Sequence, residues 1–371
     1  MEVEYFCGNL AREIFKTDIF LSTAVSLSPV PKDLIFTSEN SLNDSHQVYL
    51  RYGNEFYKPS HGFALAYEFA KNSEYVFVSP CEFSYTVLKE ALSYIGKDAY
   101  LLGFIDCNPI SKHFSKEVRR KLDGFPSDWC FHLAYNNGFS SAVPEAQFCH
   151  FSNLDIRHNS LAVENYINPF VNLVQEFLPE FSERNSFISI KTAIASQRAN
   201  PVQGVDPAVK HNMEGLLRLA TRDLQLRGVH FVQIKEGTVD MNFYDSAHNT
   251  AHNFYMAFKA QLGFTFAVEK KDFFKDRDEE VRKILLELIE TDYGNCSRVG
   301  MEKQKNGDIE YINWIIDNYS LQSPAVSASD FAKLVYYSAK LFLESRASKT
   351  GKLTIPAIFI LPYDQEQALA Y

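Results

Sequence analysis

The sequence has no Cys-x-x-Cys pair and no dense block of lysine and arginine. It also has no run of about 18 apolar residues, the length a membrane-spanning helix needs. Each absence removes a class of function. Its 6 cysteines, at positions 7, 81, 107, 130, 149 and 296, lack the spacing of a zinc knuckle. A chain of 371 residues can bury enough core to do without a disulfide framework, so reduced, buried thiols are expected. The densest basic run is only Lys116 to Lys121, and the formal net charge is -9. A protein that grips nucleic acid through its phosphates needs a basic face, so nucleic-acid binding is not expected. The opening, Met1-Glu-Val-Glu-Tyr-Phe6, lacks the basic start and apolar run of a secretory signal. A soluble, cytoplasmic protein is expected; if exported, it takes a route without a cleaved signal.

What the chain does have is apolar and aromatic. Hydrophobic residues make up 46% and aromatics 14%, mostly 31 Phe and 20 Tyr, which favours packed sheets and stacking pockets over disorder. Leu10, Ile14, Phe15, Ile19 and Phe20 fall at helical spacing, so an amphipathic helix is expected within residues 1–35. Strands are expected at 33–37, 47–52, 75–78 and 100–105. Helices are expected from Pro59-Ser60 onward and over 82–95, the latter ending at Gly96. Residues 111–143 mix a short basic helix with turn-rich sequence, and Asn136-Asn137-Gly138 reads as a turn. Beyond about residue 160 the pattern is mostly helical: 161–181, 206–227, 248–262, 278–291, 308–319 and 329–346. Strands are expected there at 187–195, 229–234, 238–243 and 353–361. A soft boundary near 165 divides the chain into candidate domains 1–165 and 166–371.

Three residues stand where chemistry could be done. Arg51 sits late in an apolar strand before Tyr52 and Gly53. Its guanidinium could meet a phosphate through paired charge-assisted bonds, and the glycine would let a ligand approach the backbone. The same arginine would also suit a solvent-facing strand end. Ser79 ends the strand Tyr75-Val-Phe-Val78 and could orient a ribose hydroxyl or a carboxylate. Ser79-Pro80 before Glu82 is equally a plain turn and cap. Glu145 enters an aromatic strand after a long turn-rich connection. A fixed carboxylate there could stabilise positive charge at an anomeric carbon, and a solvated loop glutamate would look the same.

Arginine, serine and glutamate in that order resemble the Arg–Ser–Glu class of mono-ADP-ribosyltransferases, the pertussis- and cholera-toxin group. The similarity runs over residues 47–160. Two departures stand out: Ser79-Pro80-Cys81 replaces a Ser-Thr-Ser, and Val143 stands two before Glu145. The resemblance implies an α+β fold, with an N-terminal split mixed β-sheet of the transferase type and an α-rich C-terminal domain carrying a few strands. It implies NAD as substrate and Glu145, Arg51 and Ser79 as catalytic residues. It also implies cofactor contacts from Arg51, Tyr52, Gly53, His61, Phe83 and Tyr85, with a protein target as acceptor. Two alternatives stay open: a hydrolase of ADP-ribose or another nucleotide, and a non-catalytic adaptor with a decayed transferase fold.

Other features carry less. His248 and His252 share a helix face at ligand spacing but lack the glutamate of His-Glu-x-x-His, and no metal is expected. His61, in Ser60-His61-Gly62, could do acid–base work or line the pocket; it also suits a plain helix start. Asn200 to Asp206 reads as a loop before a helix. Cys81 could be a nucleophile beside His61.

Overall fold

The structure is a computed structural model. It describes residues 17–30, 50–80, 82–123, 125, 129–136, 155–184, 186–193, 205–236, 239–240, 251, 255, 267–269, 275–294, 299–321, 326–345 and 357–360. Those residues build one large parallel sheet between two layers of helices. In chain order the strands are β1 (Thr17–Val25), β2 (Leu27–Val30), β3 (Leu50–Tyr52), β4 (Glu55–Pro59), β5 (Tyr75–Pro80), β6 (Leu101–Phe104) and β7 (Trp129–Tyr135). They continue as β8 (Phe187–Ala193), β9 (His230–Glu236), β10 (Val239–Asp240), β11 (Ala267–Glu269), β12 (Tyr319–Leu321), β13 (Val326–Ser327) and β14 (Ala357–Ile360). The large sheet has 7 strands in the order β14-β9-β8-β7-β1-β5-β6, and every pairing is parallel.

This corrects the expected split mixed sheet. Parallel strands need a crossover between them, and the crossovers are helices that cover both faces. On one face pack α1 (His61–Lys71), α2 (Glu82–Ser93) and α10 (Ala328–Ser345), against Phe20, Val76 and Val78. On the other pack α3 (Phe114–Leu122), α4 (Ile156–Ala162), α5 (Asn168–Glu176), α6 (Leu178–Arg184) and α7 (Asp206–Leu224). That face holds Ile19, Leu21, Phe131 and Leu133. β1 alternates between the two cores residue by residue, as a pleated strand buried on both sides must. The strand order crosses residue 165 freely, with four strands from before it and three from after.

Two additions decorate this frame. Between β1 and α1 the chain makes a three-stranded antiparallel sheet, β2-β4-β3. Between β9 and β14, α8 (Lys275–Gly294) and α9 (Val299–Asn318) form a hairpin around a separate small core that includes Leu285, Ile289, Ile312 and Ile316.

A buried histidine ties the amino edge of the sheet together. His132 on β7 lies with Nε2 2.8 Å from Asp18 Oδ1 on β1, while its Nδ1 accepts the Phe187 amide of β8 at 3.0 Å. Because Nδ1 accepts, the ring proton sits on Nε2 and is donated to Asp18.

Candidate functional site

In an open parallel sheet, a ligand crevice forms at the carboxyl ends of the strands, where the strand order reverses direction. Here that point lies between β1 and β7. From β1 the chain goes outward through β5 to β6, then returns to β7 on the other side of β1. The Asn136 amide, just past β7, donates to Thr23 Oγ1 of β1 at 2.9 Å and holds the two strand ends together.

The helix that leaves this point, α1, starts unusually close to β1. A Cβ on Gly62 would lie 2.1 Å from the Thr23 carbonyl oxygen and 2.8 Å from the Ala24 backbone. Only a glycine allows this approach. Ala24 itself takes φ 55°, a left-handed conformation uncommon for a residue with a side chain, where β1 departs from regular register. Ser60 caps the helix. Its Oγ accepts the amides of Phe63 (3.2 Å) and Ser26 (2.9 Å) and donates to the Ala24 carbonyl (2.8 Å). The first-turn amides of His61 and Gly62 find no acceptor among the described residues. Replacing Ser60 with alanine is therefore expected to cost about 1–2 kcal/mol, at the upper end for a cap. A urea-denaturation midpoint measures it.

Beside this helix start, the ends of β8 and β9 carry a buried ionic cluster. Lys191 Nζ lies 2.9 Å from Glu236 Oε1 and 3.3 Å from His61 Nδ1. His61 Nε2 and Glu236 Oε2 lie 2.7 Å apart. An ammonium can only donate, so Lys191 makes His61 Nδ1 an acceptor and places the ring proton on Nε2. Burial pushes the His61 pKa down, against the pull of Glu236. Burial alone would raise Glu236; His61 and Lys191 outweigh it and hold the carboxyl at about 2. Phe331 of α10 covers the histidine edge-on, with ring centroids 4.5 Å apart. The Tyr166 hydroxyl donates to the Lys191 carbonyl at 2.9 Å and pins the end of β8 from the opposite face. On that face run two further pairs, Lys210–Asp206 at 2.8 Å and Lys235–Glu214 at 3.1 Å.

The residues singled out from the sequence are spread along this edge. Arg51 and half-buried Tyr52 stand on β3, and Gly53 makes the β3–β4 turn at φ 61°. The Tyr52 and Phe83 rings meet edge-on at 5.9 Å, and Tyr85 packs against Phe104 at 5.1 Å. Ser79 is fully buried and donates to the Cys107 carbonyl at 3.0 Å, so its hydroxyl is committed to the fold. His61 reaches the ionic cluster. Glu145, Cys81, His248 and His252 lie outside the described residues. Lys191, Glu236 and Gly62 are site residues that the sequence reading does not single out. The available signal is a charge at the carboxyl end of each of two apolar strands, Phe-Ile-Ser-Ile-Lys191 and Phe-Val-Gln-Ile-Lys-Glu236.

One group among the described residues, Asp18, Cys130 and His132, brings potential metal-ligand atoms within 4.8 Å of one another. It lies at the opposite, amino edge of the sheet. The proton on His132 Nε2 and the Phe187 amide on Nδ1 leave that ring no lone pair for a metal.

Similar folds occur among solved structures. An alcohol dehydrogenase from the archaeon Thermococcus sibiricus, complexed with 5-hydroxy-NADP, matches over 94% of this chain and 98% of its own, at 10% identity and a TM-score of 0.53. A 3-oxoacyl (acyl-carrier-protein) reductase from Agrobacterium tumefaciens C58 with NADP bound matches over 97% and 99%, at 13% identity and 0.53. A short-chain oxidoreductase from Pseudomonas aeruginosa PAO1 with an atypical catalytic centre matches over 94% and 97%, at 13% identity and 0.52. The fold is that of the short-chain dehydrogenases and reductases. No family model and no curated protein matches the sequence.

This overturns the ADP-ribosyltransferase resemblance and the expected transfer or hydrolysis of ADP-ribose. The resemblance rested on the order of three short motifs, and strand order in space does not follow from order in sequence. No described helix is long and apolar enough to cross a membrane.

The described residues can be tested against a dinucleotide. The absent Cβ at Gly62 is the close helix–strand approach such a site uses, and two unbonded first-turn amides beside it suit an anion. His61, Lys191 and Glu236 add a compact charged cluster on the β8–β9 side. One feature departs: the short glycine-rich turn is replaced by the β2-β4-β3 sheet and the Ser60 cap. The helix seat and the β8–β9 side fit the group; the turn between them takes a form of its own.

Proposed function

We propose that this chain binds an NAD(P)-class dinucleotide along the carboxyl edge of its large sheet and works as an oxidoreductase. One observation carries the reading: the strand order reverses at β1, and the helix leaving that strand begins with a glycine pressed onto its backbone. The amides of His61 and Gly62 would meet the diphosphate, where the helix dipole favours negative charge. The bound cofactor would supply or accept a hydride. The chain's own part is to hold it, with His61, Lys191 and Glu236 lining the end that lies over β8 and β9. The similar folds with NADP or its derivative bound support this choice of ligand.

A second reading, a dinucleotide-binding protein without turnover, draws on Ser60. Its hydroxyl fills the start of α1 where a glycine would leave room, and His61, Lys191 and Glu236 are already engaged with one another. Titration of the protein with NADH and with NADPH, followed by nucleotide fluorescence, tests both. Saturable binding is expected for at least one. Binding with no oxidation by any carbonyl substrate offered would favour the second reading, and no binding of either nucleotide would end both.

A further inference from the structure

We propose that the outer face of α10 is a docking surface for α10 of a second copy of this chain, forming a two-fold dimer. The inference is independent of the dinucleotide reading.

One side of α10 packs Phe331, Ala332, Val335, Tyr336, Ala339 and Phe342 into the core. That stripe is enough to dock an amphipathic helix, and the opposite side is expected to be polar. It is not. Leu334, Tyr337 and Leu341 stand there, 45%, 57% and 49% exposed. Their spacing, three residues and then four, aligns them along one line of the helix. No other described helix exposes three large apolar or aromatic side chains in this way. α7, the long helix of the opposite layer, exposes Leu219 among His211, Gly215, Arg218 and Arg222. A contiguous exposed apolar patch marks an interaction site, whereas single exposed residues such as Leu219 need no explanation.

The charges around the patch select the partner. Asp330 and Glu344 stand at its two ends, and Lys333 and Lys340 run along one flank. Lys333 pairs with Asp330 at 3.0 Å. Two acids and two lysines sum to zero, on a chain whose formal net charge is -9. A strongly basic partner would find no excess of acid here. Two copies of the chain repel each other through their overall charge, and this face lets them meet without adding to it. The geometry agrees. A two-fold axis crossing the helix beside Tyr337 runs two copies of α10 antiparallel and makes an isologous contact. Leu334 of each copy then meets Leu341 of the other, and the two Tyr337 rings meet near the axis. Asp330 and Lys333 of one copy fall beside Lys340 and Glu344 of the other, four charges that balance. Such a contact also braces the helix whose Phe331 covers His61, with ring centroids 4.5 Å apart. A pair of 18-residue helices is a small contact, at the low end of stable interfaces, so a micromolar dissociation constant is expected.

Sedimentation equilibrium of the intact protein, from about 1 to 200 μM so as to bracket that affinity, tests this. The expected result is a reversible monomer–dimer equilibrium with no larger species. Tyr337→Glu sets two carboxylates against each other at the axis and should raise the dissociation constant at least about a hundredfold. Leu219→Glu, on the equally exposed Leu219 of α7, should leave it unchanged. A paired Leu334→Ser and Leu341→Ser variant, which adds no charge, should weaken the dimer at least about tenfold and gives a second reading should Tyr337→Glu fail to fold. A monomer at every concentration would overturn the proposal and leave the face to a different protein. A dimer of unchanged affinity in the α10 variants, or assemblies that grow past two copies, would overturn it as well.

Discussion

Substituting alanine for Gly62 is expected to destabilise the protein by about 3 kcal/mol or more, the upper end for overpacking a core. The reason is that nothing near the new methyl can yield. A side-chain neighbour could rotate away, but here the neighbours are the Thr23 carbonyl, 2.1 Å from the added carbon, and the backbone of Ala24. Either α1 must lift off β1 or the end of β1 must move. Lifting would break the bonds from Ser60 to Ala24 and Ser26 and the one from Ser22 Oγ to the Gly62 carbonyl, 2.9 Å. Gly215 supplies the control. It lies within α7, and a Cβ added there would meet nothing within 4 Å. Alanine there is expected to stabilise by about 0.5–1 kcal/mol, since glycine is a poor helix residue. Urea denaturation of both variants reads the contrast, and equal midpoints would contradict the account of α1 docking.

Glu236 is the second position of large effect. Its removal as Glu236→Ala leaves the largely covered Lys191 ammonium with no counter-ion among the described residues, and a loss of about 3–5 kcal/mol is expected. Acid dependence gives a separate handle. The Glu236 pKa is about 2 in the folded chain against an ordinary value of 4.5. A depressed carboxyl stabilises the fold fully above its unfolded value and loses that contribution as pH falls through the folded one. Stability should therefore decline between about pH 4.5 and 2, by on the order of 3 kcal/mol from this group. His61, whose pKa is lowered by burial, acts in the same direction and begins higher, as pH falls below 6.5. In Glu236→Gln the slope between pH 5 and 3 should flatten. An unchanged slope would show that the carboxyl is not ionised in the folded protein.

Much of the secondary structure can be read from the sequence, and the failures have physical causes. The strand at 75–78, the helix at 82–95 and the helices at 206–227 and 329–346 lie where Tyr75–Pro80, Glu82–Ser93, Asp206–Leu224 and Ala328–Ser345 are found. These have caps or clear periodicity. The central strand β1 falls instead where the spacing predicts helix. A strand buried on both faces is apolar at every position, so Ile19-Phe-Leu21 matches any period. β7 is hidden inside the turn-rich stretch 111–143, although Trp129 to Tyr135 is almost wholly apolar. His132 alone interrupts it, and that histidine is the buried tie to Asp18.

Tertiary placement is less legible still. Gly62 looks like an ordinary helix-start residue until β1 is known to run beneath it. Lys191 and Glu236 are 45 positions apart in the numbering and belong to neighbouring strands. Only the parallel register brings their side chains to His61. A charge at the carboxyl end of an otherwise apolar strand is the visible clue. Its meaning depends on which edge of which sheet it faces.

The most direct measurement is hydrogen–deuterium exchange of the intact protein with and without saturating NADPH or NADH. The account predicts slowed exchange in the peptides covering Ser60 to Leu65, at the start of α1, and in those ending at Lys191 and Glu236. Protection confined to the α8–α9 hairpin, or no protection at any concentration, would contradict a dinucleotide seated at the reversal between β1 and β7.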